Sequence, residues 1–149
     1  MNSKQNLEIA LYSAMKAGDD LAKRTIRMAL SSIKFAEKEK GVPLDEIAIT
    51  AILQKEIKSR QEVIQIAIIG NRKDIIDANK AEILFLETFL PPQLTEDEIQ
   101  ALCVEVIYEL RAKSKSDMGK VMKALVPRIQ GRAPNEKINQ ITSRLLDNQ

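Results

Sequence analysis

The sequence predicts an all-α protein built as an N-terminal four-helix part followed by a C-terminal three-helix part. Three observations carry that expectation. Apolar residues recur at spacings of three and four along nearly the whole chain, and no stretch alternates apolar and polar in the two-residue period of a strand. Gly18, Gly41, Gly70 and Gly131 punctuate the periodic segments. Aromatic residues make up 3% of the chain, while hydrophobic residues make up 44% and charged ones 30%, a balance typical of helices rich in Ala, Leu, Ile, Lys and Glu.

The first helix carries Leu7, Ala10, Leu11, Ala14 and Met15 on one face. It stops at Gly18, because glycine takes the left-handed backbone of a helix end without strain. Asp19 or Asp20 caps the second helix, whose stripe is Ala22, Ile26, Ala29, Ile33 and Ala36. That helix ends at Gly41, and Pro43 lies in the connection. Asp45 opens a long third helix striped by Ile49, Ile52, Leu53, Ile57, Ile64, Ala67 and Ile68, up to Gly70. The loop 70–74 leads to a fourth helix bearing Ile75 or Ile76, Ala78, Ile83, Leu86 and Leu90. Neither Pro91 nor Pro92 can continue the backbone ladder, and Leu90 is pushed out of helical geometry, so the pair ends the helix. The same pair is the candidate boundary between a domain at 1–90 and a domain at 91–149.

Thr95 and Glu98 form a capping box at the start of the fifth helix, each side chain satisfying a backbone N–H that the helix leaves unpaired. Ile99, Leu102, Cys103, Val106, Ile107 and Leu110 stripe this helix, and the polar run 113–116 breaks it. Ser116 caps the sixth helix, whose apolar stripe is Met118, Val121, Met122, Leu125 and Ile129, and Gly131 ends it. Pro134 suits the first turn of the seventh helix, which carries Ile138, Ile141, Leu145 and Leu146.

Composition excludes much chemistry. The 149 residues contain no histidine and one cysteine, so the commonest general base is missing and no intramolecular disulfide can form. Cys103 sits between Leu102 and Val106 on an apolar face, where a thiol is buried, raised in pKa and inert. No glycine pattern matches a dinucleotide or phosphate loop, and no ligand spacing matches zinc. Paired acids such as Glu105 and Glu109 sit where they support a solvated helix face. No catalytic residue, metal or cofactor is therefore expected. Glu8 interrupts any signal-peptide core, and no apolar run reaches the ~20 residues of a spanning helix. The expectation is a soluble, cytoplasmic chain in a reducing compartment, with no membrane partner.

Net charge is only +2, yet charge is unevenly spread. Residues 95–109 hold five acids and no base; residues 111–144 hold nine bases against two acids, a local net of +7. At 100° per residue Lys120 and Lys123 fall opposite the apolar stripe of the sixth helix, three positions apart, so their ammonium groups project together. Lys115, Gly119, Lys120, Lys123, Arg128, Gly131, Arg132 and Lys137 are the candidate residues for an anionic polymer, because Arg forks onto phosphate oxygens and Lys supplies a point charge. A lysine-bearing face is also what any soluble helix presents, and the segment lacks the interleaved aromatics of a single-strand binder. Lys23, Arg24 and Arg27 form a second basic turn, with Arg60 nearby if the helices pack antiparallel; surface pairing with Asp19, Asp20 or Glu56 is the plainer reading of these residues.

Four stretches, RTIRMALSSIKFAEKEKG (24–41), ILQKEIKSRQE (52–62), FLPPQLTEDEI (89–99) and SDMGKVMKALVPRIQGRAPNEKI (116–138), resemble the YqeY family. These are small bacterial proteins related to the C-terminal tail of the B subunit of the tRNA-dependent amidotransferase. The likeness covers nearly the whole chain and is most specific in the last stretch. It implies an all-α, two-part fold and, as partner, tRNA, which the tail contacts in the amidotransferase; related tails occur fused to a glutaminyl-tRNA synthetase. At the matching positions, Gly119 would permit close approach, Lys120, Lys123 and Arg132 would meet phosphate, and Met122 would be core. The family's association with glutamine-dependent carbon–nitrogen ligases brings no machinery here, since the nucleophile and nucleotide cradle belong to other domains or subunits. Two departures stand out. The run VIQIAII (63–69) replaces residues more often charged, so Ile66, Ile68 and Ile69 widen the apolar face of the third helix. They form either a thicker core or an exposed patch for a protein partner or a second copy. Ala133 stands where relatives often carry an acid, leaving Asn135 to cap the seventh helix.

Overall fold

The computed structural model describes residues 2–148. Among them are seven α-helices, one 3-10 turn and no strand. The protein is all-α. Contacts gather the chain into two compact units, the first ending at Leu90 and the second beginning at Pro91.

The first unit holds α1 (Ser3–Ala17), α2 (Asp20–Lys40), α3 (Glu46–Ile69) and α4 (Lys73–Glu87). Asp19 caps α2, its carboxylate accepting from the Ala22 N–H at 3.1 Å, and Asp45 caps α3 through the Ala48 N–H at 2.8 Å. Gly18 takes a left-handed φ of 69° and turns α1 sharply into α2. Leu7, Ile26, Ile33, Ile49, Leu53 and Leu86 are fully buried and form the centre of the core, each contributing about 2–3 kcal/mol through removal from water.

Several expectations for this unit need correction. Met15 is 52% exposed and Ile68 likewise; both lie at the edge of their helix stripes, beyond the arc that a neighbouring helix covers. Lys73 and Asp74 belong to α4, not to the preceding loop. Helix α4 ends at Glu87, before Leu90, because the Thr88 hydroxyl takes the Phe85 carbonyl at 2.6 Å. The next N–H groups then reach back only three residues, Phe89 to Leu86 and Leu90 to Glu87. Phe89 and Leu90 still pack on the core, Phe89 edge-on against Phe85 with ring centres 5.3 Å apart.

The second unit holds α5 (Glu96–Leu110), a 3-10 turn (Lys115–Asp117), α6 (Met118–Ile129) and α7 (Asn135–Asp147). The capping box forms as expected: the Thr95 N–H donates to Glu98 at 3.1 Å and the Glu98 N–H to the Thr95 hydroxyl at 3.2 Å. Ile99, Val106, Val121, Leu125, Ile129 and Ile138 fill the core. Leu110 is 41% exposed, contrary to its place in the stripe. Helix α5 terminates before the polar run, on Arg111, whose left-handed φ of 54° costs about 1 kcal/mol and lets Ala112 turn inward to a buried position. Ser116 does not cap α6. Its hydroxyl bonds to Ser114 at 2.7 Å, and the Asp117 carboxylate reaches back to the Lys113 N–H at 2.9 Å. Gln130 caps the far end of α6 ahead of Gly131, both in the left-handed region. Pro134 precedes α7 instead of sitting in its first turn, and Asn135 is the first helical residue, not the cap. No helix among the described residues is long and apolar enough to cross a membrane.

Candidate nucleic-acid interface

The stripe Val121, Leu125 and Ile129 anchors α6 in the core, with Met118 and Met122 partly buried beside it. The opposite face is thereby turned to solvent, and Gly119, Lys120 and Lys123 are exposed on it. A Cβ at Gly119 would meet nothing within 4 Å. Packing therefore does not demand the glycine, and the backbone at the start of α6 stands open to a visitor. Neither Lys120 nor Lys123 forms an ion pair among the described residues. The Asp117 carboxyl is held below its ordinary value chiefly by the Lys113 N–H, which donates to it, with a smaller contribution from the Lys120 charge.

The other candidate cations are engaged within the unit. Lys115 pairs with Asp147 at 3.3 Å and Lys137 with Glu96 at 3.7 Å, both at exposed positions. Arg128 forks onto Glu109, Nη2 to Oε2 at 2.6 Å and Nη1 to Oε1 at 3.3 Å. This hydrogen bond, reinforced by the charge, holds the Glu109 carboxyl below its usual range and the Arg128 guanidinium above its own. Arg132 turns back on α6: Nε donates to the Ile129 carbonyl at 2.9 Å and Nη2 to the Arg128 carbonyl at 3.0 Å. It thus satisfies two of the carbonyls that every helix end leaves unpaired. The Gly131 carbonyl accepts from Gln93, and the Arg132 carbonyl from the Leu94 N–H at 2.8 Å, so the loop is tied to the segment before α5.

Sequence reasoning missed a neighbouring surface. Asn139, Gln140, Ser143 and Arg144 line an open groove of about 640 Å³ on the outer face of α7, with Met118 and Asp147 at its borders. The signal was in the spacing. These residues fall at i, i+1, i+4 and i+5, opposite the buried Ile138, Ile141, Thr142 and Leu146. This amide- and hydroxyl-bearing face, with Arg144 in it and Lys115 paired to Asp147 at its border, offers hydrogen-bond donors and acceptors to solvent.

In the first unit, Arg60 does approach Arg24, through a shared carboxylate. Glu82 of α4 accepts Arg60 Nε on Oε2 at 3.3 Å and Arg24 Nη2 on Oε1 at 3.1 Å. Arg60 Nη1 also donates to the Glu56 carboxylate at 2.9 Å, and Glu56 takes the Ser32 hydroxyl at 2.9 Å. Lys23 pairs with Asp20 at 3.1 Å. Of the surface pairings foreseen, that with Asp20 is present; Asp19 caps α2 instead, Glu56 meets Arg60 largely out of solvent, and the buried carboxylate of Glu82 was not foreseen.

Cys103 is buried on α5, its sulfur 3.3 Å from the Thr142 hydroxyl. Burial pushes its thiol above the ordinary value, against a smaller lowering by Thr142. The protein's one sulfhydryl is not arranged as a nucleophile. No group of three or more His, Cys, Asp or Glu among the described residues is placed to hold a metal ion.

The model of the Yqey-like proteins matches residues 4–146, almost the full chain. The chain belongs to the Yqey-like protein family. Curated relatives of this Yqey-like chain include "Altered inheritance of mitochondria protein 41, mitochondrial" of Lachancea thermotolerans, 35% identical over 78% of the chain and 64% of the relative. The protein of the same name from Kluyveromyces lactis is 32% identical over 71% of the chain and 59% of the relative. That from Vanderwaltozyma polyspora is 33% identical over 69% and 57%. The Yqey-like chain thus spans about three fifths of the length of these relatives. Each of these relatives is named as a mitochondrial protein, which contradicts the cytoplasmic placement expected from the sequence.

Proposed function

We infer that this Yqey-like protein is a non-catalytic RNA-binding module, with tRNA as the partner class and the second unit as the contact surface. One observation carries the reading: Lys120 and Lys123 are exposed on one open face of α6, neither held in an ion pair among the described residues, next to a glycine over which nothing packs. Ammonium groups so placed lower the cost of bringing a phosphate backbone close, and counterion release supplies the drive. Lys115, Arg128 and Lys137 form exposed pairs of the kind worth ~0–1 kcal/mol, so they exchange carboxylate for phosphate at little cost. Arg132 supports the loop from behind. The resemblance to the amidotransferase tail points the same way; the ligase association of that family finds no chemistry here, with Cys103 shut in the core.

The test is a binding titration of the full chain with total tRNA across salt concentration. Affinity falls steeply with salt and collapses in Lys120→Glu/Lys123→Glu. Binding that ignores both salt and the double substitution refutes the reading.

A second reading rests on the C-terminal turn of α3, where Ile66 is 71% exposed, Ile69 85% and Ile68 52%. Three isoleucines in water at one helix end suit a protein partner or a second copy. Sedimentation of the wild type beside Ile66→Ser/Ile69→Ser tests self-association: a monomer in both removes the second copy.

A further inference from the structure

The geometry points to a separate anion site in the first unit, on the exposed side of α2, that takes the phosphate of a small phosphorylated molecule. Asp20, Lys23, Arg24, Arg27, Ser31 and Ser32 line one wall of an open cleft of about 590 Å³, and Glu56 of α3 closes the other. That size lies in the range of small-molecule sites.

The charges do not cancel. Arg24 and Arg60 are matched by Glu56 and Glu82, and Lys23 by Asp20. Arg27, exposed one turn beyond Arg24, has no ion pair among the described residues and leaves the cleft with a net positive charge.

Arg24 is also held ready. Its Nε and Nη2 rest on one oxygen of Glu82 at 3.4 and 3.1 Å. Glu82 is itself fixed by buried Arg60, which in turn touches the Met28 sulfur at 3.6 Å. Nη1 of Arg24 carries no bond among the described residues. A guanidinium pinned along one edge with the other edge open loses little side-chain entropy when an anion arrives. With Arg27 three residues on and the Ser31 hydroxyl a turn further, the donors form a short row suited to phosphate oxygens. Both acids of the cleft are already engaged, Glu56 by Arg60 and Ser32 and Asp20 by Lys23.

The experiment follows backbone amides of the full chain by NMR while pyrophosphate or adenosine monophosphate is added at constant ionic strength. Three proteins are compared: wild type, Arg27→Gln, and Lys34→Gln, an exposed lysine of α2 outside the cleft. The site predicts saturable shifts confined to residues 23–32 and Glu56, with a Kd of ~1 mM or below. Loss of Arg27 weakens it about tenfold, and loss of Lys34 changes nothing. Shifts that never saturate, that spread over every basic surface, or that ignore Arg27→Gln overturn the site. So does saturation of these residues by an RNA oligomer alone, which would assign the cleft to nucleic acid. Lys120→Glu/Lys123→Glu leaves the titration unmoved, so failure here does not touch the reading of the second unit.

Discussion

Arg60 and Glu82 face each other across the α3–α4 hairpin, Nε to Oε2 at 3.3 Å, with only 6% and 10% of their side chains exposed. Dehydrating two opposite charges to this degree is tolerated when their remaining donors and acceptors are met. Glu56 and Arg24 meet them, and no buried side-chain nitrogen or oxygen among the described residues lacks a partner. The pair therefore ties α2, α3 and α4 together within the first unit, because the four groups that satisfy one another come from all three helices.

Removing one member exposes that dependence. Glu82→Ala takes the acceptor from the nearly buried Arg60 Nε, leaves the guanidinium with Glu56 alone, and lowers stability by about 2–3 kcal/mol, read as a shift of the urea midpoint. The double variant Arg60→Met/Glu82→Leu removes both charges and recovers part of the loss. If Glu82→Ala costs less than ~1 kcal/mol, the pair behaves as an exposed one and does not organise the unit.

Cys103 gives a kinetic readout for the second unit. Its thiol lies at 0% exposure against Thr142, and burial raises its pKa above the ordinary 9.0, so the reactive thiolate is scarce at neutral pH. Labelling by a disulfide reagent at pH 8 is slower than in the denatured chain by at least ~100-fold and follows the opening of the unit. Urea below the unfolding transition accelerates it. Labelling at the denatured rate would mean that α5 and α7 do not enclose the sulfur.

Much of this was legible in the sequence because helix ends are local events. Asp19, Asp45 and the Thr95–Glu98 box act within one turn of backbone, and Gly18 and Gly41 take the left-handed turn at no steric cost. Core stripes were legible for the same reason: periodicity records which side of a helix faces inward. The misreadings arose where a decision depends on residues far apart. Met15, Ile68 and Leu110 have apolar spacing, but no neighbour covers them. Arg60 sits on the buried stripe of α3 because carboxylates on α3 and α4 meet it there, which spacing along one helix cannot reveal. In the candidate interface, counting bases overstated the free charge. Lys115, Arg128 and Lys137 find acids from distant stretches, and only the fold shows that Lys120 and Lys123 form no ion pair among the described residues.

The Glu109–Arg128 fork carries a pH signature. Glu109 is held below its ordinary 4.5, first by the hydrogen bond from Arg128. A carboxylate depressed in the folded state adds stability that is complete above 4.5 and fades as pH falls through the lowered value. Thermal midpoints of the wild type and Glu109→Gln are therefore separated at pH 6 and converge as pH falls below 4.5 through the lowered value. The gap is small and shrinks further in high salt, because both side chains are exposed. A gap that widens on acidification would reverse the sign and exclude the pair as its source.

Lys123 and Arg132 separate binding from architecture. Both carry a positive charge in the same basic segment, but their surroundings differ. Lys123 forms no ion pair among the described residues, whereas Arg132 spends its donors on the Ile129 and Arg128 carbonyls. Arg132→Gln removes those bonds and destabilises the second unit by about 1–2 kcal/mol, while the salt dependence of tRNA binding keeps its slope. Lys123→Gln leaves stability within ~0.5 kcal/mol and reduces that slope by about one. The two measurements cross: a melt sensitive to Arg132 alone and a salt titration sensitive to Lys123 alone. If Arg132→Gln instead takes one from the slope and leaves the melt unchanged, its guanidinium leaves the helix end to meet phosphate, and α6 does not need it as a cap.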